Sequence, residues 1–154
     1  MIKAFIWMAA VLWCGLAPGE TSVEETPTAE PAGNGDALRL TIRNVSPYEG
    51  QLLVGVCEEA DFLREHCTYR AIVPVEANPQ LIRVPHTALP PGRYAVQVVY
   101  DRNANGRLDK NLLGIPTEPV GFSRNARGRF GPPRFRQVAI DYHGVPLEVV
   151  IDVH

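Results

Sequence analysis

The sequence lacks what usually announces an enzyme. Its 154 residues contain no His-Glu-x-x-His pair, no Gly-x-Ser-x-Gly elbow and no glycine-rich phosphate cradle. The four histidines, His66, His86, His143 and His154, are scattered, and Gly121-Phe122-Ser123 is only a superficial echo of a nucleophile motif. No long stretch carries the 3.6-residue apolar period, which excludes helical bundles and coiled coils. Charge of one sign is also lacking. The net charge is −2, so bulk electrostatics give no support to a nucleic-acid partner. No apolar run is long enough for an ordinary membrane span.

What is present begins with an N-terminus that does not read as part of a fold. Residues 1–19 open with one basic residue, Lys3, followed by an apolar run from Ala4 to Trp13 and small residues at Ala17 and Gly19. That layout predicts a signal peptide cut after Gly19, and hence a periplasmic or extracellular protein. Cys14 leaves a lipid anchor as the alternative, although Trp13 stands where a small residue belongs. Residues 20–35 are rich in Thr, Glu, Pro and Gly and are expected to be a flexible linker. Without the leader, two of the three cysteines remain, Cys57 and Cys67. An even number in an exported chain predicts one disulfide. Two separate thiols are the other reading.

Residues 36–154 read as one β domain. Thirteen glycines and fourteen prolines supply many turns, hence many short strands. Alternation marks strands at Ala37–Arg43, Tyr69–Val75, Gln80–Pro85, Arg93–Tyr100, Arg136–Tyr142 and Pro146–Val153. Gln51–Cys57 is more continuously apolar. Glu58–Cys67 is expected to be a crossover with at most a single helical turn. About seven strands and no long helix predict an all-β fold, a seven-stranded antiparallel sandwich of two packed sheets. The loop of roughly 35 residues between Tyr100 and Arg136 is too long for an ordinary connection, and loops of that size usually carry function.

The first part of that loop has a chemical pattern. Asp101, Asn103 and Asn105 alternate, Gly106 follows, the Arg107 carbonyl comes next, and Asp109 stands at the ninth position. These are the first nine positions of a calcium loop, because calcium takes six to eight oxygens from a chain that curls around it. Leu112 occupies the twelfth position, where a bidentate Glu belongs. Asn111 and Glu118 are the candidates to complete the set. The competing reading is a metal-free loop in which Asp and Asn side chains cap backbone N–H groups. A second pattern, Arg124, Arg127, Arg129, Phe130 and Arg134, suggests a surface for an anionic ligand. Its competing reading is a set of arginines paired with the acidic loop beside them.

Several of these residues together resemble one family. The residues are Leu89-Pro90-x-Gly92-x-Tyr94-Ala95, the Asp101–Asn111 run, Gly114-x-Pro116-x-Glu118-x-x-Gly121-Phe122-Ser123 and Gly131-Pro132-Pro133-x-Phe135. The chain is identified by them as similar to the bacterial family called domain of unknown function 2141, from about Leu38 to Val153. The resemblance implies an exported or envelope-associated β-sandwich of the transthyretin or carboxypeptidase-regulatory kind, with no established reaction. The arginines after Ser123 and the Cys57, Cys67 pair depart from what the family implies. The functional expectation is an exported, non-catalytic binding or accessory module whose loop binds calcium, with an unknown protein or glycan of the cell envelope as partner. The first alternative is a structural envelope protein whose metal-free loop presents a protein-binding face. The weakest is a hydrolase using Asp109 and Glu118.

Overall fold

The computed structural model describes residues 35–154 except Glu65 and Phe130. The expected leader, Cys14 and nearly all of the linker lie outside the described residues. Eight strands form: β1 Asp36–Arg43, β2 Gln51–Cys57, β3 Tyr69–Pro74, β4 Gln80–Pro85, β5 Gly92–Asp101, β6 Val120–Phe122, β7 Ile140–Tyr142 and β8 Leu147–Asp152. They make two sheets, β4-β1-β8 and β3-β2-β5-β6, with β7 also paired to β5. The fold is the expected all-β sandwich.

The alternating residues meet between the sheets. Leu38, Leu40 and Ile42 of β1 and Val149 and Ile151 of β8 face Leu52, Val54 and Val56 of β2 and Tyr94, Val96, Val98 and Tyr100 of β5. Burial of such side chains contributes about 1.5–3 kcal/mol each, and the period of two is what keeps them on one face. Tyr94 closes its own turn: its hydroxyl donates to the Pro90 carbonyl at 2.8 Å, which accounts for Leu-Pro-x-Gly-x-Tyr as a structural motif.

Three features differ from the sequence reading. β8 runs parallel to β1, in register from Leu38 opposite Leu147 to Arg43 opposite Asp152, so the sandwich is not wholly antiparallel. The strand expected from Arg136 begins only at Ile140, because Phe135–Val138 is one helical turn, α1. Phe135 and Val138 are three apart, which puts both on the buried side of a helical turn, and the Gln137 side chain caps the Arg134 N–H at 2.8 Å. The long loop is interrupted by β6, whose Gly121 faces the opposite sheet. A Cβ there would lie 2.6 Å from Ile151 Cγ2, so only glycine lets β6 approach β8 this closely.

The crossover between β2 and β3 folds back over the outer face of the second sheet. Cys57 and Cys67 are disulfide-bonded, with Cα atoms 4.3 Å apart. Phe62 packs edge-on against Phe122 at 6.0 Å and Phe135 at 5.8 Å, forming a small second core with Ala95, Val138 and Ala139. Gln97 fastens the crossover to β5: its side-chain carbonyl accepts from the Leu63 N–H at 3.2 Å, and its amide donates to the Arg64 carbonyl at 3.4 Å.

Candidate functional site

The loop after β5 is built on two buried carboxylates. Asp101 ends β5 on the outer face, directly opposite Gln51 of β2, and is fully buried. One carboxylate oxygen accepts from the Gln51 side-chain amide at 2.8 Å and the Gly106 N–H at 2.7 Å; the other accepts from the Asn105 N–H at 3.2 Å. Burial pushes the Asp101 carboxyl up. The hydrogen bonds from Gln51 and from the Gly106, Asn105 and Ala104 amides outweigh it and hold the group below its ordinary value. Gly106 has φ +82°, which a side chain would strain, and this turn delivers its N–H to Asp101. Glu118, also buried, accepts from the Arg102 N–H and the Asp109 N–H, each at 3.1 Å. It therefore ties the first residue after β5 to the middle of the loop.

The alternate oxygens form a chain of turns. Asn103 Oδ1 accepts from the Asn105 N–H at 3.1 Å, and Asn105 Oδ1 accepts from the Arg107 N–H at 3.0 Å. The side-chain amides of Asn103 and Asn105 then donate to the Asp109 carboxylate at 2.7 and 3.0 Å. The structure thus brings Asp101, Asn103, Asn105 and Asp109 into one curl, with Arg107 contributing an N–H. Asn111 caps the hairpin beyond the curl, and Glu118 spends both oxygens on backbone N–H groups of the curl, Arg102 and Asp109. Among the described residues no group of three His, Cys, Asp or Glu side chains is placed to hold a metal. Asp109 and Glu118 meet through the Asp109 backbone, and their carboxylates take different donors.

Beyond the curl the chain makes a small hairpin. The Thr117 N–H donates to the Asp109 carbonyl and the Asn111 N–H to the Ile115 carbonyl, both at 2.9 Å. Asn111 caps the tip, its side-chain oxygen accepting from the Leu113 and Ile115 N–H groups at 3.0 Å. Leu112, Leu113 and Ile115 project from this tip at 106%, 83% and 55% exposure. The sequence reading took Leu112 only as a departure from the calcium pattern and passed over Leu113 and Ile115. Their signal was an apolar run inside a polar loop, with no core within reach.

The arginine segment is spread out. Arg124 sits in the turn after β6 with φ +62°, Arg127 lies against the ring of His154, Arg129 is exposed, and Arg134 precedes α1. Among the described residues none of the four forms an ion pair with the acidic loop. Phe130 lies outside the described residues. Ser123 is fully buried, accepting from the Val96 N–H at 3.0 Å and donating to the Val138 carbonyl, so its hydroxyl ties α1 to β5.

A family model described as "uncharacterized protein conserved in bacteria (DUF2141)" matches residues 40–149, and the chain belongs to that family. No curated protein and no solved structure matches the chain.

Proposed function

We propose that this member of an uncharacterized family is an exported, non-catalytic binding module. Its hairpin presents Leu112, Leu113 and Ile115 to a protein of the cell envelope. The observation that carries this reading is the pairing of a braced base with an apolar tip. Asp101 and Glu118 spend four carboxylate oxygens on holding the loop, so its shape is set before any partner arrives. Three large apolar side chains then stand in water, where they add nothing to the fold. The disulfide is compatible with export, and no helix among the described residues is long and apolar enough to cross a membrane. A photo-crosslinker at Leu113 in intact cells is expected to trap a protein adduct that Leu112→Asp abolishes without lowering Tm. The same crosslinker at Arg83, on the opposite sheet, is expected to trap none. Equal yields at both positions would sink the reading.

A second reading keeps calcium in the curl, and one observation favours it. Asp101, Asn103, Asn105 and Asp109 already lie within mutual hydrogen-bond reach, directly or through shared amides. All are hard oxygen donors. A cation there would be held by Asp101, Asn103, Asn105, the Arg107 carbonyl and Asp109, and would replace the bonds that Asn103 and Asn105 now donate to Asp109. With two formal charges the affinity belongs with extracellular modules, Kd about 10⁻⁴–10⁻³ M. Calcium at about ten times Kd then stabilises by about 1.4 kcal/mol. That increment should appear as a rise in Tm, and it should vanish in Asp109→Ala, whose side chain supports no backbone amide. No rise at saturating calcium removes this reading and leaves the first intact.

A further inference from the structure

The outer face of the β3-β2-β5-β6 sheet is covered at one end by the disulfide-closed crossover and at the other by the Asp101 loop. Between them lies an open trough of about 800 Å³. Its floor is an apolar stripe in strict register: Ile72 of β3 lies opposite Leu53 of β2, Leu53 opposite Val99 of β5, and Val99 opposite Val120 of β6. Three inter-strand gaps of about 4.8 Å make the stripe about 14 Å long. The rim carries Arg64 from the crossover, Arg70 from β3, and Arg107 and Lys110 from the loop. Among the described residues no Asp or Glu lines the trough, and none of these four cations forms an ion pair.

We infer that this trough binds a single-chain anionic amphiphile, a fatty carboxylate lying along the stripe with its head at the cationic rim. Four cations with no ion partner among the described residues repel one another, and a chain of net charge −2 has no bulk reason to gather them. An anion relieves that repulsion, and guanidinium groups hold a carboxylate through paired N–H donors. The body of the ligand must be hydrocarbon. β2 and β5, the centre of the floor, are paired on both edges, so a ligand lying across them meets side chains and no free backbone donor or acceptor. Gln97, the one polar side chain on the floor, already spends its carbonyl and amide on the crossover. The stripe is one row wide, which suits one chain. The volume falls within the range of ordinary small-ligand sites. The inference is independent of the hairpin tip, since none of Leu112, Leu113 and Ile115 lines the trough.

The test is calorimetric titration of the purified protein with laurate below its micelle concentration. Dodecyl maltoside serves as the uncharged chain and acetate as the chainless charge. Laurate should bind saturably at one site and the two controls should not. Arg107→Glu with Lys110→Glu reverses the rim at exposed positions and should weaken laurate by about tenfold or more. Ile72→Glu, on a half-exposed edge of the floor, should do the same. Circular dichroism of each variant establishes that it is folded. Absence of laurate binding overturns the inference. So does equal binding of dodecyl maltoside, or unchanged affinity in the folded rim variant. Sedimentation showing a dimer that Ile72→Glu dissociates also overturns it, because the face would then belong to a second copy.

Discussion

At the scale of single residues, two side chains explain most of what the loop motif is for. Asp101 and Tyr94 sit at opposite ends of β5; Tyr94 bonds backbone four residues away, and Asp101 bonds backbone four and five residues away and the Gln51 side chain. Asp101→Asn keeps the shape but removes the charge and turns one acceptor into a donor. At least one of the Gln51, Asn105 and Gly106 donors then lacks its partner, a loss of about 1–3 kcal/mol. Faster amide exchange at Asn105 and Gly106 would register it. The pH dependence follows from the same bonds. The folded Asp101 carboxyl lies below its unfolded value, so its contribution is complete above the ordinary carboxylate range and is lost as pH falls through the folded pKa. Tm should decline on acidification, and the decline should be shallower in Asp101→Asn. A parallel decline in both proteins would mean that other carboxylates dominate. Asp152 is one such group, lowered first by its hydrogen bond from Arg43, and it should add to the acid sensitivity of both. Tyr94→Phe removes only the bond to Pro90 and should cost about 1 kcal/mol in denaturant titration.

At the scale of elements, the long alternating strands were legible in the sequence and the short ones were not. β1, β3, β4, β5 and β8 each carry enough alternating residues for the period to stand out, and β2 was legible as a continuous apolar run. β6 is three residues, Val120-Gly121-Phe122, with glycine as its inward position, so it has no alternation to read. α1 was mistaken for strand because Val138 and Ile140 continue the alternation of β7, while the helical spacing of Phe135 and Val138 spans a single turn. The curl of Asp101 to Asp109 was legible because alternating Asp and Asn side chains encode their own turns. The trough was not, since its cations come from three separate segments that only pairing brings together. Two element-level predictions follow from close approaches. Gly121→Ala must push β6 away from Ile151 and should cost about 1–3 kcal/mol, read as a lower denaturation midpoint with unchanged slope. Replacing both Cys57 and Cys67 by Ser should cost about 2–3 kcal/mol, because the short loop they close regains its freedom in the unfolded chain. A negligible change would mean that Phe62 and Gln97 hold the crossover unaided.

At the scale of the whole molecule, the two outer faces of the sandwich are chemically unlike. On the β4-β1-β8 face, cations and anions are interleaved across strands. Arg39 reaches Asp36 at 3.2 Å, Arg83 reaches Asp36 at 3.7 Å, and Arg43 meets Asp152 at 2.6 Å. On the β3-β2-β5-β6 face, cations stand around an apolar floor, and among the described residues no acid lines the trough between them. A face whose charges are matched is complete as a solvent surface, whereas unmatched charge over exposed hydrocarbon is the pattern that marks an interaction site. Substitutions should separate the two. Arg39→Gln with Arg83→Gln removes exposed pairs and should lower stability by less than about 1 kcal/mol, with laurate affinity unchanged. Arg107→Glu with Lys110→Glu should leave the protein folded, because among the described residues neither side chain has an ion partner to lose, yet it should weaken laurate. If the first pair of substitutions altered ligand affinity as much as the second, the asymmetry would be one of net charge alone, and the trough would have no claim over the rest of the surface.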